Sequence, residues 1–208
     1  MTDLSNTSWA KRTALASLAL TCGAAQAHTG HGVNTVMEGL SHPLGLDHLL
    51  AMVAVGVWSV RALPAGKAWQ GPTTFLLALL LSAVVGAVLA ASGIAVPYLE
   101  HAIALSVVLF GAMLMDAHSR LPTAAGLGLV ALAASLHGLA HGAELPTSGL
   151  AGFGGYAAGF VLTTTLLHGG GVLFGLSIQR FMAQRARGAT TATGLVLGGA
   201  GLYLLQQL

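Results

Sequence analysis

The stretch HPLGLDHLLAMVAVGVW, from His42 to Trp58, sets two imidazoles and a carboxylate at the head of an apolar run. A second stretch, HGLAHGAE from His137 to Glu144, sets two more imidazoles and a carboxylate at the tail of another. Imidazole nitrogen with carboxylate oxygen is the donor set of a borderline divalent ion such as Ni2+, Co2+ or Zn2+. On a helix His137 and His141 are i, i+4 neighbours and Glu144 follows three residues on, so all three line one face. Asp47 and His48 lie about one to two turns inside the first run, and Met52 shares the face of His48. The candidate metal ligands are therefore His42, Asp47, His48, His137, His141 and Glu144. An N-cap or a mutual acid–imidazole pairing is the simpler use of such groups, and packing is the simpler use of Met52. Two acid-plus-histidine sets at one depth nevertheless need a common reason, because ionisable groups inside apolar helices are costly.

Other titratable residues extend this set into a possible pathway. His28 and His31 stand in HTGHG, Glu100 and His101 open a third apolar run, and Asp116 and His118 close it. His168, in TTTLLHGGG, falls deep within a further run. In order these residues sketch a vestibule, an outer site, a deep histidine and an inner exit. Interfacial anchoring or capping is the usual reading of residues placed like His101 and His118; for His168 a bond to a neighbouring helix carbonyl is the alternative to a functional role.

The elements that must position these groups follow from composition. Of 208 residues, 55% are hydrophobic and only 7% charged, against about a quarter charged in a soluble domain. The 29 glycines are scattered through apolar runs, as happens where membrane helices pack closely. The expectation is an all-α, polytopic membrane helical bundle. The few basic residues are dispersed among short loops, which excludes a nucleic-acid surface.

Residues 1–27 read as a cleaved signal peptide: Lys11 and Arg12 precede the apolar run Thr13–Cys22, and Ala25–Ala27 supply small residues for cleavage. The n-region is long and contains Asp3, so an uncleaved anchor is the alternative; the apolar run, near ten residues, is too short to span. Cleavage would leave His28 first. Cys22 is the one cysteine, so no disulfide framework exists. Residues 28–208 form a single membrane domain of six transmembrane helices, predicted at Pro43–Leu63, Thr73–Ser92, Tyr98–Asp116, Pro122–His141, Leu150–Ile178 and Thr191–Leu208. Arg61 and Lys67, Arg120, and Arg180, Arg185 and Arg187 occupy alternate connections, which the positive-inside rule assigns to the cytoplasm. Both mature termini then face the periplasm of a bacterial inner membrane. Gly155 with Gly159, Gly171 with Gly175 and Gly194 with Gly198 are predicted close helix contacts.

At HPLGLDHLLAMVAVGVW and HGLAHGAE, with a signal and six spans, the chain resembles the HupE/UreJ family of small membrane proteins. That resemblance covers essentially the whole mature chain. It implies a nickel, or sometimes cobalt, permease associated with hydrogenase or urease systems. It carries the metal-site role onto His42, Asp47, His48, His137, His141 and Glu144. The family's first motif has five residues between the first His and the Asp; here PLGL gives four, which on one helix would rotate His42 away from Asp47.

The resulting expectation is uptake of a divalent ion captured at the periplasmic face, with no prosthetic group. No nucleotide-binding motif is present, so no ATPase is implied by this chain. Three other classes fit the residues less well. An intramembrane zinc hydrolase would use three ligands and an open position, but there is no HExxH. A haem carrier would need axial histidines at one depth, and His168 is predicted too deep to pair with the outer cluster. A delivery or sensor module would bind the metal without conducting it.

Overall fold

The structure is a computed structural model describing residues 36–115, 121–143 and 149–208, with backbone alone over 149–153. Among the described residues every regular element is a helix. In chain order these are α1 (Val36–Ser41), a 3-10 turn (His42–Leu44), α2 (Leu46–Ala62), α3 (Gln70–Ala91), α4 (Leu99–Met115), α5 (Thr123–Ala143), α6 (Gly149–Phe181), a second 3-10 turn (Ala183–Arg185) and α7 (Ala186–Gln206).

A helix falls in each of the six predicted windows, but the windows are not six equal spans. Among the described residues four helices are long and apolar enough to cross a membrane: α3, α5, α6 and the segment Ala183–Gln206. A fifth span results if Val36–Leu44 and Leu46–Ala62 count as one, bent by 72° at their junction. At 17 residues, α4 is apolar but short, about 25 Å at 1.5 Å per residue.

The first window departs most from expectation. Pro43 was expected to open a continuous helix; it opens the 3-10 turn instead, where its missing N–H costs nothing. Gly45 then leaves helical geometry, at φ −51 and ψ 140, and α2 begins at Leu46. The preceding residues, for which the sequence reading gives no element, form the half-helix α1 packed along α6. His42 and Asp47 therefore belong to different elements. The rotation argued from the shortened spacing assumed a single helix and does not apply.

The centre of the bundle is α2, most of whose residues from Asp47 to Val60 are buried. It touches α3, α4 and α6, while α3 pairs with α5 and α4 with α7. Phe75, Leu79, Ser82 and Gly86 mark the inner face of α3 at helical spacing, and Leu77, Leu81, Val84 and Val88 are exposed on the outer. An exposed face so apolar suits lipid.

Two close approaches set the geometry around the polar residues. Where α2 crosses α6, a Cβ on Gly56 would strike the His168 carbonyl, and one on Gly171 the Val53 carbonyl. Where α3 lies on α5, a Cβ on Gly142 would strike the Ala83 carbonyl, and one on Gly138 the Leu79 carbonyl. Of the six predicted contact glycines, Gly155 and Gly159 seat α1, Gly171 and Gly175 seat α2, and Gly194 seats α4. Gly198 meets nothing in its own Cβ direction, although its backbone lies under Gly111.

Candidate metal centre

The junction at Gly45 places the first turn of α2 against the last turns of α5. Asp47 and His48 come from α2, His137 and His141 from α5, and His42 from the 3-10 turn. His48 Nε2 lies 2.6 Å from His141 Nε2, across 93 residues of sequence. The His48 ring is 4.6 Å from that of His137 and 4.5 Å from that of His141. His42 packs edge-on at 4.6 Å from His141 and 6.0 Å from His48. Two sequence motifs have become one cluster of four imidazoles.

The cluster is dry. His48 and His137 have no exposed surface, and Asp47 and His141 are buried. Its walls are aromatic: Phe160 on α6 stands 4.9 Å from His141, Tyr156 5.9 Å from His42, and Phe75 on α3 5.8 Å from His137. Removed from water, polar groups in such a place must satisfy one another.

Proton counting assigns the tautomers. Asp47 Oδ1 is 2.9 Å from His48 Nδ1, although the pair is not aligned as a hydrogen bond. The carboxylate charge favours the proton on Nδ1, which leaves the lone pair on His48 Nε2 to accept from His141. Ser106 donates its single proton to the Ile103 carbonyl at 2.7 Å, and its oxygen is 3.0 Å from His137 Nε2. A hydroxyl has one O–H, so Ser106 accepts from His137 Nε2–H, and the lone pair of a neutral His137 lies on Nδ1.

Of the other predicted residues, His168 donates from Nδ1 to the Thr164 carbonyl at 2.8 Å, and its ring rests 5.0 Å from Phe75. It is expected as the deep histidine, and the ring of Phe75 contacts both it and His137. Glu100 and His101 line a cavity of about 460 Å3 with Tyr98 and Leu208, and no residue of the histidine cluster lines it. Met52 is fully buried in the core. His28, His31, Asp116, His118 and Glu144 lie outside the described residues. Among the described residues no three His, Cys, Asp or Glu side chains are grouped so as to hold a metal ion.

Sequence reasoning passed over Ser106, Phe75, Tyr156 and Phe160. The signal for Ser106 is a hydroxyl within an apolar helix; the aromatic residues carry none until helix neighbours are known. Glu38, one turn before His42 on α1, was also passed over because that half-helix was not foreseen.

Fold and site together define a helical membrane-type protein whose broken first helix delivers an acid–histidine pair to a buried histidine cluster. The chain belongs to the HupE/UreJ family, whose model, described as HupE / UreJ protein, matches residues 16–204. Protein HupE of Rhizobium leguminosarum bv. viciae is 42% identical over 195 residues, covering 92% of this chain and 96% of the relative. No solved structure matches the chain.

Proposed function

We propose that the protein carries a divalent metal ion, nickel first, inward across the membrane and so supplies a hydrogenase or urease metallocentre. The observation that carries this reading is the pair of Nε2 atoms from His48 and His141 facing each other at 2.6 Å, both rings buried. Two imidazole nitrogens each about 2.0–2.1 Å from one ion stand roughly 3 Å apart, so a small opening of this pair admits an ion. His137 supplies a third nitrogen from the next turn of α5. Asp47 serves as the carboxylate that orients His48, in the manner of a carboxylate–histidine–metal triad. Glu144 and His42 complete the outer set.

No three donors stand preassembled among the described residues, and a cargo site has to be filled and emptied at each passage. The ligands regroup around the ion, and His141 gives up its Nε2 proton as it binds, so metal capture releases protons. The membrane potential contributes about 2.3 kcal/mol per charge per 100 mV, roughly twice that for a divalent ion. In this reading the chain has six spans after a cleaved signal of residues 1–27. Arg61, Arg120 and Arg185 face the cytoplasm and both mature termini the periplasm.

The test is uptake of Ni2+, Co2+ and Zn2+ into proteoliposomes containing only this protein. Saturable Ni2+ uptake supports the proposal, and uptake no greater than into empty liposomes for all three ions overturns it. A positioning role for Ser106 is checked in the same preparation. Ser106→Ala frees the His137 tautomer and is expected to lower Ni2+ affinity about 10-fold with little change in thermal stability. Equilibrium dialysis that finds unchanged affinity would remove Ser106 from the site.

A further inference from the structure

We propose that His168 is a second, inner metal-ligand position, which takes the ion after it leaves the outer cluster. The inference rests on the transport reading above and adds a site to it.

Thr164 and His168 are one turn apart on α6, and both are buried, with 0% and 1% exposure. A carbonyl only accepts, so the 2.8 Å bond from His168 Nδ1 to the Thr164 carbonyl fixes the proton on Nδ1. A neutral imidazole holds one N–H, and the lone pair is therefore on Nε2. Among the described residues neither His168 Nε2 nor the Thr164 hydroxyl oxygen has a hydrogen-bond partner. Buried polar atoms are nearly always partnered, and Thr163, the residue beside this pair, bonds the Leu40 carbonyl at 2.9 Å. Two unmet polar atoms one turn apart are therefore a place prepared for something else. A metal-ligating histidine has this second-shell arrangement, with its other ring nitrogen donating to a backbone carbonyl.

The position is also right for a transfer step. Gly56, whose missing side chain admits the His168 backbone, follows His48 by eight residues on α2, about 12 Å further along the helix. The Phe75 ring touches both His137, at 5.8 Å, and His168, at 5.0 Å. His168 Nε2 is the next imidazole donor that an ion meets on its way inward past that ring. A single imidazole holds a divalent ion weakly, and conduction needs binding loose enough to release.

Two substitutions in the full-length protein separate this role from a structural one. His168→Gln fills the space without an imidazole donor, and His168→Cys offers a thiolate, which favours Zn2+. In proteoliposomes His168→Gln is expected to lower Ni2+ flux at least about 10-fold. Ni2+ affinity measured by equilibrium dialysis should stay within about twofold of wild type, because the outer cluster is separate. His168→Cys should keep most of the flux and shift preference from Ni2+ toward Zn2+. Wild-type flux in His168→Gln at equal membrane level overturns the inner site and leaves the outer-site reading intact. So does equal loss of flux and thermal stability in both variants. Wild-type protein that binds no Ni2+ overturns both readings.

Discussion

Alanine at His141 is expected to abolish metal uptake while the protein still reaches the membrane at normal level. The side chain faces His48 Nε2 at 2.6 Å and packs on Phe160 and His42, so its removal takes away one of the nitrogens that converge. Asp47→Asn tests the same centre from behind. The volume is nearly unchanged, but the charge 2.9 Å from His48 Nδ1 is gone, and nothing then favours the tautomer with a lone pair on Nε2. Loss of such an outer partner costs about 10–100-fold in metal affinity; a mere packing role for Asp47 would tolerate asparagine. Protons compete for the same nitrogens, so wild-type uptake should weaken as pH falls. Radiolabelled Ni2+ uptake against pH, normalised to membrane level, checks all three. Wild-type rates in both variants would leave these side chains as structural pairs.

The second large effect is expected at Gly142, next in sequence to His141. A Cβ there meets the Ala83 carbonyl and the Ala87 amide of α3, which are backbone atoms with no flexible end to yield. Gly138 and Gly86 make matching contacts in opposite directions, with Leu79 and Leu139, so α3 and α5 lie backbone against backbone along this face. Gly142→Val must force them apart. Overpacking of this kind costs about 1–3 kcal/mol and sometimes more, and here the strain falls beside a metal-site histidine. We expect a lower thermal midpoint in detergent and uptake at background. Gly128→Ala, on the same helix but with nothing within 4 Å of its Cβ, should lose neither. A valine at Gly142 as stable as wild type would mean that the two helices are not in backbone contact.

How much of this was legible in the sequence depends on the distance over which each inference had to reach. His137 and His141 share a face because the helix period fixes i, i+4 neighbours, and that needs no partner helix. The meeting of His48 with His141 is not a local property. It was approachable because alternate basic loops put both motifs at the same side of the bundle, hence at a similar depth. The half-helix α1 gave no such signal: VMEGLS is six residues, too short for a period to show. Pro43 was read correctly as an N-terminal residue but assigned to the wrong helix, since the turn that follows it depends on Gly45 leaving helical geometry. For His168 helix rise gives depth along one axis only, and its lateral relation to the outer site depends on how the helices pack. The α2–α6 crossing at Gly56 and Gly171 brings that helix sideways, until one phenyl ring bridges the gap.

The central claim is that the four-imidazole cluster binds the ion through ring nitrogens, and X-ray absorption of Ni2+ bound to the detergent-solubilised protein tests it most directly. One equivalent of Ni2+ should show the multiple-scattering pattern of at least two imidazoles, with one imidazole fewer in His141→Ala. A coordination shell of oxygen alone, or a spectrum unchanged by His141→Ala, would contradict the account.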